Sequence, residues 1–126
     1  MQARILVVDD APAIVDALRL LLEGAGYEVS ITGEGAEVMH LIQDWHPDLI
    51  LLDVWIPGIN GQELCIQLKQ QESLKRIPLL LMSAHHGLQK VSEQAGADGY
   101  LRKPFTKNVL LSTIALALQQ QTERDL

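Results

Sequence analysis

Cysteine is all but missing from this chain. Cys65 is the only one, so no intrachain disulfide can form, and a reducing compartment is the natural setting. No Cys/His spacing suits zinc. Clustered basic charge is lacking too. The ten Lys and Arg are scattered, Lys75-Arg76 and Arg102-Lys103 being the only adjacent pairs, and the formal net charge is −6. That argues against direct nucleic-acid contact, which needs grouped cations for phosphates. No apolar run approaches the length that spans a bilayer, which argues against a membrane-embedded protein. "MQARILVVDD" reaches acidic residues before a signal-peptide core can form, so a cytoplasmic protein is expected. No internal repeat is visible.

What is present is one domain's worth of chain, 126 residues, with 48% apolar residues to build a core. Short β-favouring runs at Ile5–Val8, Tyr27–Ile31, Leu49–Leu52, Leu79–Met82 and Gly99–Leu101 alternate with helical patterns. The first, third and fourth runs are continuously apolar, as strands covered on both faces are. Ile14, Val15, Leu18, Leu21 and Leu22 mark a first helix, with Asp10 as its cap and Pro12 in its first turn. Val38, Leu41 and Ile42 mark a second, stopped near Pro47. Leu64, Cys65 and Leu68 mark a third, from Gly61 to about Gln71. The fourth, Gly87 to Ala95, has little to bury; the fifth starts at Thr106. Residues 1–118 are expected to form the domain, and "QQQTERDL", 119–126, a frayed end or the start of a linker. Five βα units in strict alternation predict an α/β fold: a doubly wound parallel sheet of order 2-1-3-4-5, with helices on both faces. The ligand crevice of such a sheet lies at the C-terminal strand ends, near strands one and three.

Those ends carry polar chemistry. Strand one ends in Asp9-Asp10, strand three in Asp53 and strand four in Ser83, and Lys103-Pro104 follows strand five. Singly, each is a cap, a turn former or a surface charge; together, at four strand ends, they describe a site. Two carboxylates about 5 Å apart repel by roughly 3 kcal/mol at an effective dielectric near 20. A divalent cation with oxygen ligands relieves that repulsion. Mg²⁺ suits a site of few carboxylates because it keeps waters and bridges to phosphate. A phosphoryl group on Asp53 is then tolerable, with the metal and Lys103 offsetting its charge. Ser83 adds a hydroxyl donor.

With these residues the chain resembles a response-regulator receiver domain. The motifs are "ILVVDD", "DLILLDVWIPGINGQEL", "LLLMSA" and "AGADGYLRKPF", and the resemblance runs to about Leu118. It implies a flavodoxin-like fold and a two-component signalling function, in which a histidine kinase or histidine phosphotransfer protein supplies a phosphoryl group to an aspartate with Mg²⁺. By that resemblance Asp53 is the acceptor, and Asp10, Asp53 and the Trp55 backbone carbonyl hold the metal, with Asp9 supporting it. Ser83 is the switch hydroxyl, Lys103 the phosphoryl-binding cation, and the Lys103-Pro104 bond is cis. Tyr100 is the switch aromatic. The fourth helix, fifth strand and fifth helix form the face that meets an effector or a second copy.

The resemblance has departures. Trp55 stands where the family more often has a smaller or polar side chain; its ring either hinders the hydrolytic water or packs over the loop or a partner. The stretch from Ser83 to Lys103 is short for the family. His85-His86 follows the switch residue, and His85 is placed at the site's entrance. Off-face Leu111 and Leu116 on the last helix offer a dimer or partner surface. Two other readings remain: a receiver-like interaction module that works without phosphorylation, and a Mg²⁺-dependent phosphatase. The latter lacks an acid two residues after Asp53, since Trp55 is there.

Overall fold

The structure is a computed structural model that describes residues 2–124. Its elements run β1 (Arg4–Val8), α1 (Pro12–Gly24), β2 (Glu28–Thr32), α2 (Gly35–Trp45), β3 (Leu49–Asp53), β4 (Trp55–Ile56), β5 (Ile59–Asn60), α3 (Gly61–Gln70), β6 (Leu79–Ser83), α4 (Leu88–Ala95), β7 (Gly99–Arg102) and α5 (Lys107–Arg124). Five strands make one parallel sheet in the order β2-β1-β3-β6-β7. Counted within that sheet alone, this is the 2-1-3-4-5 order expected from the βα alternation. Side chains alternate between its two faces. Leu6, Val8, Ile50, Leu52, Leu79 and Leu81 pack under α2, α3 and α4. Ile5, Val7, Leu49, Leu51, Leu80 and Met82 pack under α1 and α5. Both sets are essentially inaccessible to water, which is why β1, β3 and β6 read as unbroken apolar runs.

Helix ends follow local chemistry, with one correction. Asp10 does not cap α1. The cap position is Ala11, without a side-chain cap bond, and the Ala11 N–H donates instead to Asp9 Oδ1 at 3.0 Å. Pro12, which has no N–H to satisfy, fills the first turn. α2 stops at His46, which turns left-handed at φ 55° just before Pro47, whose ring disfavours helical geometry in the residue ahead of it. Asn60 caps α3 by accepting from the Glu63 N–H at 3.1 Å. Thr106 does the same for α5 through the Val109 N–H. α5 continues to Arg124, so Gln119–Arg124 extend the helix rather than fray from it. The end of the polar stretch, residues 125 and 126, lies outside the described residues, as does Met1.

The ribbon of β4 and β5 has no counterpart among the expected elements. Its two-residue strands are too short to show a period. They pair because Pro57-Gly58 makes the turn, with Gly58 at φ 79°, a value that suits glycine. The ribbon delivers the chain to Gly61, which lies against the backbone that carries Asp53. A Cβ there would stand 2.5 Å from the Asp53 carbonyl oxygen and 2.7 Å from Val54 Cα. Neither neighbour is a flexible side chain that can yield. Gly61→Ala is therefore expected to lose about 1–3 kcal/mol of stability by overpacking. Gly24→Ala, which meets nothing within 4 Å, is expected to hold or gain stability. Urea midpoints of the two variants check this.

Cys65 belongs to the core. It is fully buried, its thiol is directed at the Ala95 carbonyl, and burial pushes its pKa up to about 11, so it stays a thiol rather than a reactive thiolate.

Candidate functional site

The sheet's register brings the strand-end residues together. β3 ends with Asp53 opposite Met82, and β6 ends with Ser83 opposite Arg102, placing Lys103 one residue beyond. The Lys103 N–H donates to the Ser83 carbonyl at 2.9 Å, holding the start of that loop. The Lys103–Pro104 bond is cis. From this position Lys103 Nζ reaches back across the strand ends, to Asp9 Oδ2 at 2.8 Å and Asp53 Oδ2 at 3.2 Å. One ammonium thus bridges carboxylates from β1's end and β3. Both are buried, Asp9 at 1% and Asp53 at 8% exposure, so the bridge is not the weak, solvated kind.

The second oxygen of each carboxylate is also engaged. Asp9 Oδ1 accepts from the Ala11 N–H, and Asp53 Oδ1 accepts from the Trp55 N–H at 3.1 Å. The Asp53 pKa still lies above the usual carboxylate value. Burial drives it up, the Trp55 N–H and the Lys103 charge pull it down, and the Asp9 charge adds to the rise. Ser83 ends the neighbouring strand, one residue past the partner of Asp53, and is buried, its Oγ accepting from the His85 N–H at 3.0 Å.

The other singled-out residues stand apart from that bridge. Asp10 is exposed at the rim, and its Cβ leaves no space for a Cβ on Gly33, which would come within 3.0 Å. Tyr100 is on β7 opposite Leu81 and is partly exposed, at 40%. His85 meets the Trp55 ring, and His86 Nδ1 lies 3.0 Å from Arg102 Nη2. Sequence reasoning missed Gly33, and gave Gly61 only as the turn into the third helix.

The buried carboxylate, its bridging ammonium and the adjacent hydroxyl sit where an open α/β sheet binds ligands. Residues 5–115 match the response regulator receiver domain family. The chain belongs to that family. This receiver domain is 31% identical over 125 residues to the DNA-binding response regulator MtrA of Mycolicibacterium smegmatis, covering 98% of the chain but 54% of that protein. It thus spans about half the length of the curated relatives it matches. Among solved structures it resembles a CheY-like receiver domain protein from Methanospirillum hungatei, with 30% identity, a TM-score of 0.88, and coverage of 98% and 99% of the two chains. It also resembles the receiver domain of a sensor histidine kinase from Pseudomonas aeruginosa, with 26% identity, a TM-score of 0.85, and coverage of 94% and 99%. That structure has magnesium coordinated in its active-site cleft.

Among the described residues, no three His, Cys, Asp or Glu side chains stand ready as a cage for a metal ion. Mg²⁺ does not need one, since it keeps several waters and takes few protein oxygens. The exposed Asp10 carboxylate, the buried Asp53 carboxylate and the Trp55 backbone carbonyl are all hard oxygen donors. The donor chemistry of this receiver site therefore fits Mg²⁺. Among the described residues, no helix is long and apolar enough to cross a membrane.

Proposed function

We propose that this receiver domain takes a phosphoryl group onto Asp53 from a phosphohistidine of a sensor histidine kinase or histidine phosphotransfer protein. The observation that carries the reading is the Lys103 ammonium held between the buried Asp9 and Asp53 carboxylates, with Ser83 buried at the end of the neighbouring strand. A phosphoryl acceptor needs an oxygen nucleophile in a fixed place and positive charge beside it, more than it needs acid–base groups. β3 supplies the first and Lys103 the second. An Asp53 oxygen forms its bond to phosphorus as the phosphorus–nitrogen bond breaks, and the histidine leaves with the electron pair. Bound Mg²⁺ supplies further positive charge to the phosphoryl oxygens; Asp10, Asp53 and the Trp55 carbonyl would hold it, with Asp9 in support.

Switching follows from the same residues. The Ser83 hydroxyl, now bonded to the His85 N–H, turns to a phosphoryl oxygen, and Tyr100 moves inward from its half-exposed position. The face made by α4, β7 and α5 changes with it and meets an effector or a second copy of the chain. Such a switch is a two-state element biased by local charge. A cytoplasmic setting accords with a kinase partner and a reduced Cys65.

Intact mass after incubation with acetyl phosphate and Mg²⁺ tests the reading, with Asp53→Asn as control. The expected result is gain of one phosphoryl group by the parent, none without Mg²⁺ and none in the control. Mg²⁺ binding without any gain would favour the phosphorylation-independent interaction module.

A further inference from the structure

α4 turns Leu88, Ser92 and Ala95 inward, so the middle one of its three buried residues carries a hydroxyl. Serine is a poorer helix former than alanine, and a buried hydroxyl needs a partner. Ser92 Oγ finds it outside the helix, donating to the Gly99 carbonyl at 3.2 Å. Gly99 opens β7, the edge strand of the sheet, and Tyr100 follows it. A second bond lies on the other side of Tyr100. Arg102 Nη2 stands 3.0 Å from Nδ1 of His86, in the loop that leads from Ser83 into α4. A guanidinium only donates, so this nitrogen accepts and the ring proton sits on Nε2. α4 and β7 also border an open groove of about 620 Å³ at Leu88, Lys90, Glu93, Tyr100 and Arg102. Packing alone therefore does not close the seam between them.

We infer that these two hydrogen bonds clasp α4 and the loop before it to β7 on either side of Tyr100, and so hold the domain in its resting form. The resting clasp stands on the geometry alone; its release rests on the reading of Asp53 as acceptor. The two ends differ in strength. Ser92 is buried, so water has little access to its bond, whereas His86 and Arg102 are exposed and water competes for theirs. His86 also sits one residue past the N–H that holds Ser83 Oγ. When the Ser83 hydroxyl turns to a phosphoryl oxygen, the His85 N–H loses its acceptor and the loop is freed there. His86 then leaves Arg102, while Ser92 keeps its part of α4 on Gly99. α4 thus swings about a fixed point rather than detaching, and the space beside Tyr100 opens.

Amide hydrogen exchange, followed residue by residue by NMR, tests the clasp in the unphosphorylated protein, where no acceptor chemistry is needed. Ser92→Ala is expected to speed exchange in α4 about tenfold and to leave β1 and β3 unchanged. A serine that only fills space predicts the reverse, because alanine is the better helix former and would slow exchange there. His86→Leu and Arg102→Leu are each expected to speed exchange at residues 87–91 about threefold, as fits an exposed bond. The double leucine variant is expected to go no further, since both changes break one bond. His86→Gln, which keeps an acceptor, is expected to hold the parent's rates. Thermal melts show that each variant is folded. The parent treated with acetyl phosphate and Mg²⁺ is expected to show the His86→Leu pattern, with the Ser92 end still protected. Unchanged or slower exchange in Ser92→Ala would overturn the anchor, and unchanged exchange in both leucine variants would overturn the loop end. A phosphorylated parent with resting exchange throughout α4 would overturn the release while leaving the acceptor intact. A parent that takes no phosphoryl group would overturn the acceptor reading and the release with it, and the variants would still decide the resting clasp.

Discussion

Replacing Asp98 by alanine is expected to cost this domain about 3–5 kcal/mol, the usual penalty for stripping a largely buried ion of its partner. Asp98 Oδ2 pairs with Lys69 Nζ at 2.5 Å and also accepts from the Leu79 N–H at 2.8 Å. Both side chains are 13% exposed, too little for water to take over. Lys69 donates further to the Ile77 and Lys75 carbonyls, at 2.8 and 3.1 Å. The cluster therefore fastens the end of α3 to the start of β6 and the turn before β7, at the end of the sheet opposite Asp53. Alanine would leave the ammonium facing carbonyls alone and take the acceptor from the Leu79 N–H. Asp98→Asn keeps an acceptor for Leu79 and loses only the charge, so about 1.5–3 kcal/mol is expected. Equilibrium urea unfolding with an unchanged m-value reads both. A loss below about 1 kcal/mol for alanine would mean that the pair behaves as a surface one.

The Lys69–Asp98 pair also shows where sequence reading stops. The sheet was legible because Ile5–Val8, Leu49–Leu52 and Leu79–Met82 are apolar throughout, and only strands covered on both faces need that. Once those runs were placed, their ends were placed, and with them Asp9, Asp53 and Ser83. Contacts between loops were not legible. Nothing in the spacing of Lys69 and Asp98, or of Trp55 and His85, says that the turns fold them together. The same holds for Lys103, which the sequence puts near the crevice but not between two particular carboxylates. Asp10 was misread as a cap because an acid before Pro12 fits the pattern, whereas the backbone hands the bond to Asp9. Gln119–Arg124 carry no apolar stripe and so read as fraying, yet good helix formers at the end of a docked helix need none to continue.

Lys103→Ala is expected to slow phosphoryl incorporation from a fixed donor by about 10²–10³, the loss typical when one preorganised charge-stabilising donor is removed. The loss has two sources, and pH separates them. The first is the transition state: Lys103 Nζ, 3.2 Å from Asp53 Oδ2, is the cation shown at this carboxylate among the described residues, and its loss would remove charge from the place where the phosphoryl oxygens of the proposed reaction would gather. The second is the nucleophile. Burial already holds the Asp53 pKa above its ordinary value, and Lys103 works against that rise. Without Lys103 the folded-state pKa climbs further. Since only the carboxylate attacks, incorporation falls as pH drops through that pKa, and in the variant the fall begins at a higher pH than in the parent. Stability runs the opposite way: an ionised Asp53 costs folding free energy, and the cost is relieved as pH falls through its raised pKa. At pH well above that range both proteins present a carboxylate, so the rate difference that survives there belongs to the transition state alone. Mg²⁺ affinity is expected to rise in the variant, because the ammonium and the metal compete for the same carboxylate charge. Incorporation within a few-fold of the parent at high pH would mean that Lys103 serves only to hold Asp9 and Asp53 in place.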